Sequence, residues 1–127
     1  MVLALGADLL FASRLESIVT RAGANFATAR SAEELRTRLD SPTLVLIDLG
    51  ARGLDLAAAV QSAREAGARV VVAYGPHKDV AARRRALDAG CDRWLANSKL
   101  FETLPDLLSR RSDTSGEPTA LESRPSS

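Results

Sequence analysis

Five short apolar runs, separated by amphipathic segments, constrain the fold of this chain more than any other feature of its sequence. The runs lie at Val2–Leu5, Asn25–Ala29, Leu44–Asp48, Val70–Tyr74 and Arg93–Ala96. The third and fourth are almost entirely aliphatic, as expected of strands that are covered on both faces. Their alternation with helical segments predicts βαβ units, and hence an α/β fold built on a parallel sheet.

Helix signals occupy the segments between the runs. Apolar residues recur at helical spacing after the first run, and Gly23 stands where that helix would end. Ser31 is followed three residues later by Glu34, a capping-box pattern that predicts a short second helix. The same spacing predicts three further helices. Pro105 lies within the last of them, where it should bend the helix or delay its start.

Length and polarity predict one folded domain with a tail. A chain of 127 residues can bury one core and is too short for two ordinary domains. From Ser112 the sequence is polar and rich in Ser and Pro, so ordering it would lose more entropy than burial could offset. We therefore predict a folded domain at 1–111 and a disordered polar tail at 112–127.

Charge and composition argue against several classes of partner. The formal net charge is +1, which gives no broad field to attract nucleic acid or an anionic membrane. No apolar stretch approaches the roughly 18 residues of a membrane span, and the first residues lack the basic start of a secretory signal, so a cytoplasmic protein is expected. Cys91 and His77 are the single residues of their types and make no credible ligand set, so we expect neither a metal nor another cofactor.

Ligand chemistry in an open parallel sheet is expected beyond the carboxyl ends of the strands. The residues predicted at those ends are Gly6, Ala7, Asp48, Tyr74, Gly75, Asn97 and Ser98. Asp48 is the one carboxylate in this set.

The segments RAGANFATARSAEEL, LVLIDL and DAGCDRWL, in this order and spacing, resemble bacterial response-regulator receiver domains. The resemblance covers residues 1 to about 110. It implies a flavodoxin-like (CheY-like) doubly wound sheet of five parallel strands in the order 2-1-3-4-5, with helices on both faces. It also implies a signalling module rather than an enzyme.

The resemblance further implies a phosphorylation site, of which this chain keeps one part. Receiver domains use an aspartate on the third strand as phosphoacceptor, two acidic residues after the first strand to hold magnesium, a Thr or Ser after the fourth, and a lysine followed by proline after the fifth. The matching residues are Asp48 for the phosphoacceptor, Gly6 and Ala7 for the acidic pair, Tyr74 for the hydroxyl, Asn97 for the lysine and Ser98 for the proline. Because phosphoryl transfer depends on neutralising the phosphoryl oxygens, this pattern predicts a pseudo-receiver with at most weak Mg²⁺ binding.

Some of these residues have two interpretations. Asp48 either accepts amide hydrogen bonds from the following loop or serves as phosphoacceptor, and Asp8 either caps the first helix or binds metal. Lys99 could share the side of Asn97 in extended geometry and partly replace the missing lysine, or be an ordinary solvated lysine. Tyr74 lies across the vacant pocket or turns its hydroxyl to water. The loop LGARGLD looks short and should narrow the crevice.

A partner-binding face is predicted around the fifth strand. Trp94 occupies the position where receiver domains carry a switch aromatic, and it is either a half-exposed anchor for a partner or a core residue. Arg83, Arg84, Arg85 and Arg93 form either a basic patch or a solvated face. The leading hypothesis is a stand-alone pseudo-receiver that docks a signalling protein, or itself, through the fourth helix, fifth strand and fifth helix.

Two alternatives stay open. A degenerate receiver could accept phosphate at Asp48 in a phosphorelay, with Lys99 and a weakly bound magnesium ion supplying charge. A small ligand could bind at the crevice where the strand order reverses, although no glycine-rich phosphate loop supports it. Hydrolase chemistry ranks lower because no nucleophile can be paired with His77, and the near-neutral charge argues against DNA binding.

Overall fold

Strands and helices alternate through the chain, as the apolar runs predict. The structure, a computed structural model, describes residues 1–37, 41–76 and 79–116, with side chains described as far as residue 109. The elements are β1 (Val2–Leu5), α1 (Leu9–Arg21), β2 (Phe26–Ala29), α2 (Ala32–Arg36), β3 (Leu44–Asp48), α3 (Leu56–Glu65), β4 (Val70–Gly75), α4 (Val80–Asp88), β5 (Arg93–Ala96) and α5 (Asn97–Gly116). The start of β2 and the end of β4 each differ from the predicted run by one residue.

The strands form one five-stranded sheet in the order β2-β1-β3-β4-β5. Every strand pair in it is parallel. This is the predicted doubly wound order, with β1 and β3 adjacent at the point where the order reverses. The fold class implied by the receiver resemblance is therefore confirmed.

The buried interior of this one domain is divided by the sheet into two cores, one on each face, and not the single core expected, because successive strand side chains point to opposite sides. The first core packs small residues of α3 and α4 against the sheet, and it includes Leu3, Val45, Val71, Ala59, Ala63 and Ala86. The second core packs α1 and α5 against the other face, and it includes Val2, Leu46, Val72, Leu95, Leu15 and Leu104. The side chain of a strand residue at the carboxyl edge of the sheet therefore points either toward α3 and α4 or toward α1 and α5.

Side-chain caps start four of the helices. Asp8 accepts a hydrogen bond from the backbone amide of Phe11 at the start of α1 (2.8 Å). Ser31 accepts one from the amide of Glu34 (3.1 Å), which confirms the predicted cap of α2. Asp55 and Asp79 cap α3 and α4 in the same way. The caps at Asp8 and Ser31 agree with the sequence signals, because each cap satisfies an amide that the helix itself leaves free.

Helix α5 differs from its prediction. It begins at Asn97 directly after β5 and continues to Gly116, with Pro105 inside it, so the expectation that this proline delays the helix is wrong. An internal proline weakens a helix by about 3 kcal/mol. Burial of the leucines at 104, 107 and 108, each contributing roughly 1.5–3 kcal/mol, more than offsets that loss.

The C-terminal segment is partly described. The backbone of α5 extends into the segment 112–127, as far as Gly116. The rest of the predicted disordered tail lies outside the described residues, as does His77, so the tail stays a prediction. Within the described ranges, no helix is both long enough and apolar enough to cross a membrane.

Candidate functional site

Asp48 lies at the carboxyl edge of the sheet as the last residue of β3. It is the register partner of Tyr74 in β4, which is in turn the partner of Leu95 in β5. Residues in register on parallel strands project to the same face, and Tyr74 and Leu95 belong to the core under α1 and α5. Asp48 therefore projects toward the α1 and α5 side of the sheet.

The Asp48 carboxylate is held by the loop that follows it. The backbone amide of Gly50 donates to Asp48 Oδ1 at 2.7 Å, and the amide of Ala51 donates to the Asp48 carbonyl at 3.1 Å. The Gly50 bond is of the kind that the first interpretation of Asp48 predicts, whereas the Ala51 bond goes to the backbone oxygen and not to the carboxylate. Burial raises the pKa of Asp48; the Gly50 hydrogen bond partly offsets this shift, and the charge of Asp8 adds to it.

The same loop covers the place expected for the first residue of the acidic pair. Gly6 has a φ of +82°, and a Cβ built on it would lie 2.7 Å from Cβ of Ala51 and 3.8 Å from Cβ of Asp48. A separation of 2.7 Å is far below the van der Waals contact of two carbon atoms. The loop after β3 therefore leaves no room for a side chain at position 6; that it is shorter than the loop of receiver domains stays a prediction.

The other candidates for metal ligation do not assemble into a site. Ala7, at the second acidic position, packs against the core under α1 and α5. Asp8 caps α1 through the Phe11 amide, as its first interpretation predicts. Its charge still reaches Asp48, whose pKa it raises. Among the described residues, no three acidic, His or Cys side chains come together in a way that could hold a metal ion.

Tyr74 is buried, with 1% of its surface exposed. Its ring stacks on Phe11, with centroids 4.8 Å apart and planes 7° from parallel. The interpretation that turns its hydroxyl to water is therefore wrong, because the ring completes an aromatic stack above the core. Burial, and then the charges of Asp48 and Asp8, raise the pKa of Tyr74. Its hydroxyl is buried and has no hydrogen-bond partner within the described part of the chain.

Asn97 and Ser98 belong to the first turn of α5 rather than to the end of β5. Asn97 is half-buried. Its Oδ1 is enclosed and finds no hydrogen-bond partner among the residues described. Since β5 ends at Ala96, the strand meets the helix with no connecting residue. Asn97 can donate and accept hydrogen bonds but carries no charge to offset a phosphoryl group.

Lys99 does not follow the geometry on which its proposed role depended. That role required extended backbone, in which residues two apart share a side. In α5 each residue turns by about 100°, so Lys99 and Asn97 diverge by roughly 200° around the helix. The Lys99 ammonium instead lies 3.5 Å from Oε1 of Glu102, as an exposed pair. Such a pair contributes little to stability.

Trp94 combines features of both of its interpretations. It is half-buried and packs against the core under α3 and α4. Gly75 lies beside it, since a Cβ built there would be 3.6 Å from Cζ2 of the indole. The indole Nε1 is enclosed, with no acceptor among the described residues. Trp94 is thus a ring anchored in the core with part of its surface exposed.

The outward side of α4 carries a surface that sequence reasoning saw only in part. Arg83, Arg84, Arg85 and Arg93 are all exposed. Val80 and Leu87 are 85% and 41% exposed, and at this spacing they share a side of the helix with Arg83 and Arg84. We call Val80, Arg83, Arg84 and Leu87 together the α4 face. The i, i+7 spacing of Val80 and Leu87 could have revealed it, since the buried side of α4 uses Ala82 and Ala86 instead.

An open groove of about 840 Å³ lies between the first turns of α1 and α5. Its lining includes Leu10, Phe11 and Arg14 of α1 and Phe101 and Glu102 of α5. Asp8, Asn97 and Ser98 also line it. Sequence reasoning missed this groove, because helical periodicity does not predict how far apart two helices pack. We call it the α1–α5 groove.

Solved structures resemble this fold, whereas sequence comparison finds no match. No family model matches the chain, and no curated protein does. The signal receiver domain of a DNA-binding response regulator (merR) from Colwellia psychrerythraea 34H has a TM-score of 0.72 at 18% identity, covering 88% of this chain and 97% of that one. The receiver domain of NtrC4 from Aquifex aeolicus has a TM-score of 0.71 at 17% identity, covering 91% and 98%. The response regulator RPA3017 in red light signaling of R. palustris has a TM-score of 0.68 at 20% identity, covering 94% and 99%.

These similarities extend over nearly the whole length of the solved receiver domains. At such identities they show the fold alone. The chemistry of the site therefore has to be argued from the residues of this chain.

Proposed function

Because the chain has the receiver fold, we propose that it is a signalling module, not an enzyme, that acts through protein contact and without aspartyl phosphate. The contact between Gly6 and the loop after β3 carries this proposal. Cβ of Ala51 lies 2.7 Å from the place of a side chain at position 6. Receiver domains put a magnesium-binding carboxylate at the matching position, and here the loop of the chain itself fills that space.

The electrostatics of the edge also disfavour phosphate. Burial raises the pKa of Asp48, and the nearby charge of Asp8 raises it further, so the site already destabilises the charge that it carries. An aspartyl phosphate would add negative charge, which needs a metal ion or a lysine to offset it. Lys99 pairs with Glu102 instead. The proposed function therefore includes no metal or other cofactor.

The partner surface that we propose is the α4 face together with Trp94. An exposed apolar pair, Val80 and Leu87, lies among arginines, and both arginines and partly open tryptophans are enriched where proteins bind one another. The excess of positive charge favours a partner with an apolar, acidic surface. We expect a cytoplasmic signalling protein rather than nucleic acid, because the apolar pair has no counterpart on a phosphate backbone.

One observation favours a second candidate, a degenerate receiver that still accepts phosphate. Asp48 is only partly buried, and it stands at the carboxyl edge of β3, where receiver domains carry their phosphoacceptor. Under this candidate, a weakly bound magnesium ion would supply the missing charge. Small-ligand binding at this edge has the α1–α5 groove in its favour but no phosphate-binding loop.

Intact-mass analysis after incubation with acetyl phosphate or phosphoramidate and Mg²⁺ separates the two candidates. Wild type and Asp48→Asn would be compared under conditions that preserve acyl phosphate, beside a receiver domain that has the full acidic set as positive control. We expect no phosphate adduct on either form while the control is labelled. An adduct on the wild type alone would overturn the proposal and make Asp48 a working phosphoacceptor.

A further inference from the structure

Two adjacent leucines on α1 are exposed beside the α1–α5 groove. Leu9 and Leu10 have 85% and 84% of their surface accessible, and Leu10 is part of the groove lining. Most leucines of the described chain are buried in one of the two cores. A largely exposed leucine pair next to a groove is the kind of apolar patch that marks an interaction surface.

The floor of the groove is apolar and held in place by the core. Phe11 and Phe101 meet there with ring centroids 4.9 Å apart. The Phe11 ring also stacks on the buried ring of Tyr74, and this contact with the core holds the Phe11 ring in place. The Arg14 guanidinium lies 3.9 Å from the centroid of Phe101. Because this floor is already ordered, an apolar side chain that enters the groove would order few additional groups.

The charges at the groove have mixed signs, unlike those of the α4 face. Asp8 and Glu102 are negative and Arg14 is positive, and Lys99 lies 3.5 Å from Glu102. Two identical surfaces bind each other well only if positive groups on one copy face negative groups on the other. The α4 face would bring arginines onto arginines, whereas the groove can bring Arg14 of one copy onto an acid of the other.

We propose that the α1–α5 groove is where this chain associates with a second copy of itself. The two copies are related by a two-fold axis beside α1. Leu9 and Leu10 of each copy lie in the groove of the other, and Arg14 of each faces Glu102 of the partner subunit. This assignment goes beyond the proposed function, which leaves the oligomeric state open. It also leaves the α4 face accessible in the dimer for a different, acidic partner.

Sedimentation velocity over a dilution series of the full chain tests the apolar part of this proposal. The wild type should shift from monomer to dimer as concentration rises. Leu9→Ser/Leu10→Ser should weaken the dimer by about tenfold or more, because it removes both apolar anchors. Val80→Ser is the matched control, since Val80 is equally exposed, at 85%, but lies on α4. It should leave the equilibrium unchanged.

A charge exchange tests the pairing. Arg14→Glu alone and Glu102→Arg alone should each weaken the dimer, because like charges would then face each other. An equimolar mixture of the two variants should form a heterodimer about as tight as the wild type. The proposal is overturned if the wild type stays monomeric at all soluble concentrations. It is equally overturned if that monomer binds a small ligand or another protein at the groove. It is also overturned by a dimer that survives Leu9→Ser/Leu10→Ser, by loss of the dimer in Val80→Ser, or by a mixture no tighter than its components.

Discussion

Replacing Gly6 with alanine should destabilise the fold more than the same change at any open glycine with a similar backbone. The backbone at Gly6 has a φ of +82°, which a residue with a Cβ adopts at a loss of about 1–2 kcal/mol. The added methyl would also lie 2.7 Å from Cβ of Ala51. Forcing a methyl group into filled space adds about 1–3 kcal/mol. The expected decrease in the free energy of unfolding is therefore about 2–5 kcal/mol.

Gly23 provides the matched control for the backbone term. Its φ is +86°, and a Cβ built on it meets no atom within 4 Å. Gly23→Ala should therefore lose only the backbone term, about 1–2 kcal/mol. Urea unfolding followed by circular dichroism would give the free energy of unfolding of each variant. Equal losses in Gly6→Ala and Gly23→Ala would refute the steric argument.

A double-mutant cycle isolates the contact itself. Ala51→Gly alone should lower the free energy of unfolding by about 0.4–1 kcal/mol, through added freedom of the unfolded chain. In that background, Gly6→Ala should lose its steric term and destabilise by only about 1–2 kcal/mol. If the two changes in the free energy of unfolding were strictly additive, position 6 would not be in steric contact with the loop. The proposed function would then lose its main support.

Two further variants probe the buried edge. Tyr74→Phe removes a hydroxyl with no partner among the described residues, so its free energy of unfolding should rise by about 1 kcal/mol in urea unfolding; a loss of similar size would mean that the hydroxyl is bonded. The raised pKa of Asp48 means that the folded state binds the proton more tightly than the unfolded state, so stability is lost as the pH rises from the ordinary pKa through the raised one. Asp48→Asn should thus be more stable than wild type at pH 7, and the difference should shrink as the pH falls toward 3.8, the ordinary value for this carboxyl; urea unfolding at several pH values would contradict this if the difference were constant.

The fold was readable from the sequence because its signals are local and periodic. Aliphatic runs predict the covered strands, and Ser31 with Glu34 predicts a cap that the structure contains. The strand order is not local, and it came from the resemblance to receiver domains. The expected delay of α5 at Pro105 was wrong because the local rule was outweighed by burial of the leucines around it, while the alternative, a bend at Pro105, stays a prediction.

The candidate site was predicted correctly only for features that depend on which residue stands at a position, such as the presence or absence of a charge. Asp48 and the uncharged positions at the edge follow directly from the alignment of motifs. The conformation of Lys99 did not, because the length of the segment between β5 and α5 is not encoded in periodicity. The burial of Tyr74 depended on its stack with Phe11, a contact between distant parts of the chain.

The exposed apolar residues on α1 and α4 follow the same helical periodicity that predicts the buried ones. Leu9 and Leu10 lie off the apolar stripe of α1, and Val80 and Leu87 lie opposite the buried alanines of α4. A search for apolar residues outside each stripe would have identified all four. What it could not give is the groove between α1 and α5, since helix separation depends on the packing of both helices on the sheet.

The contact between position 6 and position 51 also constrains the order in which this protein can change over evolutionary time. A side chain can enter position 6 only after Ala51 has lost its methyl group or the loop has moved, because the two Cβ atoms cannot coexist at 2.7 Å. Acquiring a carboxylate at position 6 before that step passes through a destabilised intermediate, which selection removes. The reverse order has a smaller barrier, since Ala51→Gly alone lowers the free energy of unfolding by only about 0.4–1 kcal/mol. The residue at position 51 therefore determines whether position 6 can acquire a carboxylate, and with it whether this edge of the sheet can acquire a metal-binding site.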